Sequence, residues 1–393
     1  MIPQQQRTYA IRFIVCLGLV SLFADMTYEG ARSAIGPFLK DLGASAAAVG
    51  FIAGLGEMLA ASLRFFSGRL ADRTRAYWTI TISGYALNLL VVPALAFVGS
   101  WQAAAVLVIA ERTGKSLRGP ARDVLLSEAT GVVGHGWGFG LHAAMDQTGA
   151  VLGPLLIAAS VARSNQFGPG FLLLAIPAGL SLAALLVARA VHPVQVAPPA
   201  TAIGQTLPRV FWIYVTAAGV LACGFADFPL LAYHFEKTGL VQPAAIPLLY
   251  AGAMGVSGLT AVVFGRLFDR LGIAVLGFGI LISLLALPLG FLGGSTGVIA
   301  SVACWAVGLG AQDASLRSGI AQVASLNKRG SAFGAFNAVY GIAWFLGSAA
   351  IGLLYDQSLT ALVGFGMAAQ LISAGMFFWL RRPLAAAAAA VSF

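Results

Sequence analysis

From Trp78 to Val98 the chain runs without one charged side chain, and it does so again over Phe171–Val187, Ala274–Gly293 and Leu359–Leu380. Stretches of this length match the hydrocarbon core of a bilayer, which a helix crosses in about 20 residues. Further long apolar stretches carry isolated charges, near residues 10–38, 44–67, 101–123, 134–161, 209–235, 242–264, 297–325 and 331–354. Only 9% of the 393 residues are charged. A soluble domain carries about 25%. So few charges cannot cover a water-facing surface, so lipid must cover much of it. The mean hydropathy of +0.88 and the 48 glycines, which suit close helix packing in a bilayer, agree. Together these features predict an all-α integral membrane protein of about twelve transmembrane helices.

The same composition removes several classes of function. The net charge of +9 does not make a nucleic-acid surface, because the basic residues sit at span ends rather than on one solvated face. Cys16, Cys223 and Cys304 lie far apart in apolar segments, with neither disulfide nor metal spacing. The chain has four His and contains no His-Glu-x-x-His, no Gly-x-Ser-x-Gly and no Walker loop. An enzyme is therefore not expected, nor a metal, nor a cofactor. The start, MIPQQQRTYAIRF, leads into the first span without a cleavage site and reads as an uncleaved first helix.

Lys and Arg divide by side. One set of loops holds Arg7 and Arg12, Arg69, Arg73 and Arg75, Arg118 and Arg122, Arg189 and Arg209, Arg266 and Arg270, Lys328 and Arg329, and Arg381 and Arg382. The opposite loops hold little beyond Lys40, Arg163 and Lys237. The positive-inside rule then places both termini in the cytoplasm and requires an even number of spans. The Pro- and Ala-rich segment 190–208 reads as a cytoplasmic linker. It separates an N-terminal six-helix bundle (1–189) from a C-terminal one (209–382), with a low-complexity tail at 383–393.

The halves repeat. Phe23-Ala24-Asp25 recurs as Phe225-Ala226-Asp227, and Gly68-Arg-Leu-Ala-Asp72-Arg73 recurs as Gly265-Arg-Leu-Phe-Asp269-Arg270. Phe139-Gly140 with Gly153 matches Phe333-Gly334 with Gly347. GRLADR and GRLFDR resemble the loop motif of the major facilitator superfamily (MFS), Gly-x-Leu-x-Asp-Arg-x-Gly-Arg-Lys/Arg. The first copy departs from it at Arg75, Ala76 and Tyr77, and the second keeps Gly272 but lacks the basic pair. Gly149-Ala-Val-Leu-Gly153-Pro154 is similar to the fifth-helix motif of that family's antiporters, with Ile157 and Ala158 where a Gly pair is usual. Arg112-Thr-Gly-Lys115 through Arg122-Asp123 resembles a pattern in a bacterial branch of unassigned specificity.

This resemblance implies two pseudo-symmetric six-helix bundles that rock about a central cavity, with the solute site near the bilayer midplane. It implies a secondary active transporter that moves a small solute by alternating access. The motif at Gly149, Gly153 and Pro154 points to proton-coupled antiport and efflux. In the gating loops Gly68 and Gly265 would let helices approach. Asp72 and Asp269 would accept from backbone amides, and Arg73 and Arg270 would hold the aspartates or lipid phosphates. An ordinary charged turn at a membrane edge is the alternative.

Ionisable residues in hydrocarbon cost at least ~2.5 kcal/mol each and normally face a cavity or a partner. Asp25, Glu29 and Arg32 form one helical stripe, Glu57 and Arg64 lie on one face, and Arg112, Lys115 and Arg122 share another. His142 and Asp146 are four apart, Asp227 and His234 seven. Glu29, Glu57 and Asp146 are candidate proton carriers, because burial disfavours a carboxylate's charge and an approaching Arg favours it. Proton coupling is expected through Asp25, Glu29 and Asp146. Arg32, Arg64, Arg112 and Lys115 are candidates for an anionic group or as counter-ions. Fixed ion pairs are the alternative throughout; Glu111–Lys115 and Asp313–Arg317 are expected to pair within their own helices. For His142 a bond to a carbonyl is as ordinary as a role beside Asp146.

The expected partners are a small-molecule solute, protons and the lipid bilayer, without nucleic acid, and the expected state is a monomer in a bacterial inner (plasma) membrane. Uptake or exchange of an organic anion is the alternative function, and a non-transporting membrane sensor a more remote one.

Overall fold

The computed structural model describes residues 4–133, 135–191, 208–323 and 329–391. The linker expected over 190–208 lies almost wholly outside the described residues. The helices are α1 (Gln4–Asp41), α2 (Ala46–Thr74), α3 (Tyr77–Ala94), α4 (Trp101–Val133), α5 (His135–Ser164), α6 (Gly168–Leu173), α7 (Ala175–Val191), α8 (Arg209–Gly224) and α9 (Phe228–Lys237). They continue with α10 (Ile246–Leu271), α11 (Ala274–Ser283), α12 (Ala286–Phe291), α13 (Gly294–Val323), α14 (Arg329–Gln357) and α15 (Leu359–Val391). Among the described residues the regular structure is helical throughout, as hydrocarbon requires of a chain that must satisfy its own backbone.

Three spans are built from two helices each, and proline sets each break. A proline lacks the N–H that would bond the carbonyl four residues back, and its ring crowds that carbonyl. Pro177, Pro229 and Pro288 point back to Leu173, Phe225 and Leu284. These positions lie at the ends of α6, α8 and α11. Side chains bond carbonyls beside two of these breaks. Gln370 Nε2 donates to Gly224 O at 3.0 Å, Trp305 Nε1 to Ala226 O at 2.9 Å, and Ser301 Oγ to Ala286 O at 2.7 Å.

Eleven spans are long and apolar enough to cross a membrane among the described residues. The remaining one, α4, is as long but carries Glu111, Arg112, Lys115, Arg118, Arg122 and Asp123 along its middle. It also runs to Val133, well past the end expected near 123. Pro120 does not stop it, because the Ser116 carbonyl that Pro120 releases accepts from Ser67 Oγ at 2.9 Å. The expected tail is helical as far as Val391.

The chain forms two compact units. Unit 1 comprises Met1–Gly43, Leu63–Ala200 and Pro243–Ala251; unit 2 comprises Ala44–Ser62, Thr201–Gln242 and Gly252–Phe393. Unit 1 buries Phe13, Leu17, Tyr77 and Leu125 in one cluster and Val20, Tyr85, Leu89 and Leu185 in another. Its α1 and α5 meet backbone to backbone: a Cβ on Gly149 would strike the Leu22 carbonyl oxygen, and one on Gly153 the Met26 carbonyl oxygen. Without hydrophobic drive between helices in lipid, such small-residue contact supplies the van der Waals packing.

Unit 2 centres on Phe211, Tyr214, Leu221, Leu276, Phe336 and Phe377. Its counterpart of the Gly153 contact is Gly347, where a Cβ would strike the Cys223 backbone. The start of α2 belongs to this unit because Gly50 and Gly54 let it lie directly on Ser348 and Phe345 of α14.

Candidate functional site

In unit 1 the polar side chains converge from α1, α4, α5 and the first turn of α10. Glu29 Oε2 accepts from the Tyr250 hydroxyl at 2.5 Å, and its Oε1 lies 3.6 Å from Lys115 Nζ. Lys115 also sits over the Tyr28 ring, 3.8 Å from its centroid. Glu111 does not pair with Lys115 as its i,i+4 spacing suggests. It meets Arg112 Nε at 3.2 Å and accepts from Asn88 Nδ2 at 2.7 Å. The physical reason is reach: Glu29 arrives from a neighbouring helix on the side of Lys115, and Asn88 of α3 draws Glu111 the other way.

Asp146 Oδ1 lies 3.1 Å from His142 Nδ1. The other His142 nitrogen lies 3.3 Å from Ser21 Oγ, which also receives an Arg122 guanidinium N–H at 3.2 Å and lies 3.5 Å from the Tyr85 hydroxyl. Arg122 is held as well by Asp123 at 2.7 Å. A continuous polar chain thus runs Asp146–His142–Ser21–Arg122. Asp25 is 8% exposed, packs beside Gly149, and makes no hydrogen bond or ion pair among the described residues. Arg32 and Arg112 line a cleft of about 30 Å³ between α1, α3 and α4, closed by Tyr28, Val92 and Leu95. That is room for one or two waters.

In unit 2 the carboxylate of Asp227 ends the break between α8 and α9. One of its oxygens accepts both from Trp344 Nε1 at 2.9 Å and from Ser348 Oγ at 2.8 Å. Phe225 stacks on Trp305 with centroids 6.0 Å apart. The Tyr340 hydroxyl donates to Gln312 Oε1 at 2.8 Å and sits among the charges of Asp313, Glu57 and Asp227. His234 is not brought to Asp227; its Nδ1 lies 2.9 Å from the Tyr355 hydroxyl.

Of the gating-loop residues, Gly68 faces only Pro120 at 3.5 Å, and a Cβ on Gly265 would meet nothing within 4 Å. The close approach read from the sequence is thus not made at Gly265 in this conformation. Arg73 and Arg270 are exposed, and the side chains of Asp72, Asp269 and Arg317 lie outside the described residues. Arg64, half-buried on α2, lies beside Gly119 of α4, and Pro154 is buried within α5.

Two groups of residues escape a sequence reading. Tyr28, Tyr85, Tyr250, Trp344 and Ser21 carry no charge and so send no signal from an apolar span. Arg118, counted with a cytoplasmic loop, is instead 3% exposed inside α4, its guanidinium 4.1 Å from the Tyr85 ring centroid and 5.6 Å from that of Tyr28. Arg122 is likewise inside α4 rather than in a loop.

Comparison with known proteins identifies the family and the fold. Residues 17–348 match the family model described as Major Facilitator Superfamily. An uncharacterized protein of Mycobacterium tuberculosis is 40% identical over 384 residues, covering 95% of this chain and 94% of its own length. An uncharacterized MFS-type transporter of Methanocaldococcus jannaschii is 22% identical, over 88% of this chain and 89% of its own. Among solved structures, a peptide transporter POT in complex with sulfate superposes with a TM-score of 0.77 at 16% identity, covering 95% of each chain. The nucleoside transporter NupG gives 0.71 at 14% identity, over 95% of this chain and 98% of its own. These two share the fold. With its helical spans and buried ionic clusters, the chain is a multi-pass membrane transport protein, not an enzyme, and belongs to the Major Facilitator Superfamily.

Proposed function

We propose that the protein is a proton-coupled secondary active transporter that moves a small solute by alternating access. The observation that carries this reading is a set of carboxylates on two helices packed backbone to backbone, Asp25 and Glu29 buried and Asp146 half-buried. Asp25 and Glu29 lie on α1, and Asp146 on α5. Ionisable groups at this depth mark ion pathways. Asp25 has no fixed partner, Glu29 is shared between a hydroxyl and an ammonium, and Asp146 opens onto the His142–Ser21–Arg122 chain.

Antiport with export is supported by the Gly149–Gly153–Pro154 seam of α5 against α1, which rests on the resemblance to antiporters. A second reading, uptake or exchange of an organic anion, is favoured by the cations Arg112, Lys115, Arg118 and Arg122 on α4. The protein acts as a monomer of two six-span halves, 1–189 and 209–382, in the inner membrane of a bacterium, with both termini in the cytoplasm. The Lys and Arg distribution supports that orientation.

The test is solute flux in proteoliposomes under pH gradients of either sign, with sodium present or replaced. Gradient-driven flux is expected, lost in Asp25→Asn, Glu29→Gln and Asp146→Asn. Flux that follows sodium, or that the three variants leave intact, removes the proton from the mechanism.

A further inference from the structure

Arg118 stands out among the cations of unit 1. It is 3% exposed, yet none of its N–H groups meets a hydrogen-bond acceptor and no carboxylate lies within ion-pair distance among the described residues. Its neighbours on α4 are each engaged: Arg112 with Glu111, Lys115 with Glu29, Arg122 with Asp123 and Ser21. What holds Arg118 is the face of Tyr85, with Tyr28 farther off. A cation–π contact offsets only part of the hydration a buried guanidinium gives up, and it leaves the planar fork of donors open.

The opposite charge is nearby but apart. Asp25, also buried and without a hydrogen bond or ion pair among the described residues, lies on α1 one helical turn before Tyr28, whose ring centroid is 5.6 Å from the Arg118 guanidinium. The charged groups around them are Glu29 and Lys115, paired together, Asp146 beside His142, and Arg122, held by Asp123 and Ser21. A guanidinium and a carboxylate on neighbouring helices, each without a hydrogen bond or ion pair among the described residues, match a small solute that bears an oxyanion next to a hydrogen-bond donor.

We propose that Arg118, shelved on Tyr85, binds an oxyanion of the transported solute, while Asp25 accepts from an adjacent ammonium or hydroxyl of the same molecule. Carboxylate and phosphate share the required geometry, because a guanidinium fork takes either in bidentate fashion. The substrate class is thus a small amino acid, hydroxy acid or phosphorylated polyol. The assignment rests on the transporter reading but not on its direction or its coupling ion.

The experiment is melting of the purified full-length protein in detergent with amino acids, hydroxy acids and sugar phosphates. Matching amines, alcohols and sugars serve as oxyanion-free controls. A cavity binder raises the melting temperature by mass action. Oxyanion-bearing members of one group are expected to stabilise the wild type, with carboxylates and phosphates in separate arms. Affinity should fall at least tenfold in Arg118→Gln and less in Arg118→Lys, which keeps the charge but loses the fork. Should Arg118→Gln fail to fold, protection of Arg118 from phenylglyoxal by the bound probe is read on the wild type. The assignment is overturned if controls stabilise as well as oxyanions, if no panel member stabilises, or if binding survives in Arg118→Gln or leaves Arg118 unprotected. Failure of the transporter reading looks different: Arg118-dependent binding persists, but proteoliposomes show no counterflow of the bound probe.

Discussion

The Tyr250 hydroxyl donates to Glu29 at 2.5 Å and ties the first turn of α10 to the middle of α1. The two residues are far apart in sequence, and both are buried. Tyr250 belongs to unit 1 while most of α10 belongs to unit 2. The carboxylate that receives this bond also faces Lys115, so one acidic group holds two helices to α1.

Tyr250→Phe keeps the ring and removes the donor. A buried carboxylate oxygen then loses a partner, which costs about 1–3 kcal/mol. The expected outcome is a lower melting temperature of the purified protein and a changed pH dependence of transport. An unchanged melting curve would show that water replaces the hydroxyl without loss.

Glu29→Gln leaves the Lys115 ammonium without its ionic partner. Breaking a buried pair from one side costs roughly 3 kcal/mol. Removing both charges in Glu29→Gln/Lys115→Met should cost less than the two single changes added together, with a coupling of about 0.5–3 kcal/mol. Unfolding by SDS titration of the four proteins measures it; strict additivity would show that the pair is not coupled.

The α1–α5 seam predicts a contrast between glycines. Gly149→Ala and Gly153→Ala drive a methyl into the Leu22 and Met26 carbonyls and should destabilise by about 1–3 kcal/mol through overpacking. Gly265→Ala meets open space on α10 and should be neutral, or stabilising by up to ~1 kcal/mol through helix propensity. Yield and melting temperature of the three variants decide between these outcomes.

In unit 2, Trp344→Phe and Ser348→Ala each remove one donor from the same Asp227 oxygen. A hydrogen bond to a charged group contributes about 1.5–3 kcal/mol, so each change should lower the melting temperature and the double change should lower it further. Tyr340→Phe, which bonds Gln312 instead, serves as the comparison in the same melting series.

Much of this was legible beforehand because a bilayer imposes simple rules. The repeat of Gly153 as Gly347 corresponds to equivalent contacts in the two units: Gly153 of α5 lies on the Met26 backbone of α1, and Gly347 of α14 on the Cys223 backbone of α8. His142 and Asp146 do meet, as their spacing allows. Lys115 was misread because spacing names its neighbours on one helix but not the side chain that arrives from another. Arg118 was misread because its basic charge within α4 looks, in one dimension, like the edge of a loop.

Span length and scarcity of charge, both properties of consecutive residues, were enough to determine a helical membrane chain, and the recurring Phe-Ala-Asp and Gly-Arg-Leu-x-Asp-Arg motifs its doubled architecture. Proline positions alone do not place the three breaks, because Pro37, Pro120 and Pro154 lie inside helices that continue past them. Only the packed helices decided which ionic groups pair, that Tyr250 reaches Glu29, and that Arg118 rests on an aromatic ring with no carboxylate. Those facts depend on rotation and approach of separate helices, set by glycine contacts and side-chain volume, and no local pattern encodes them.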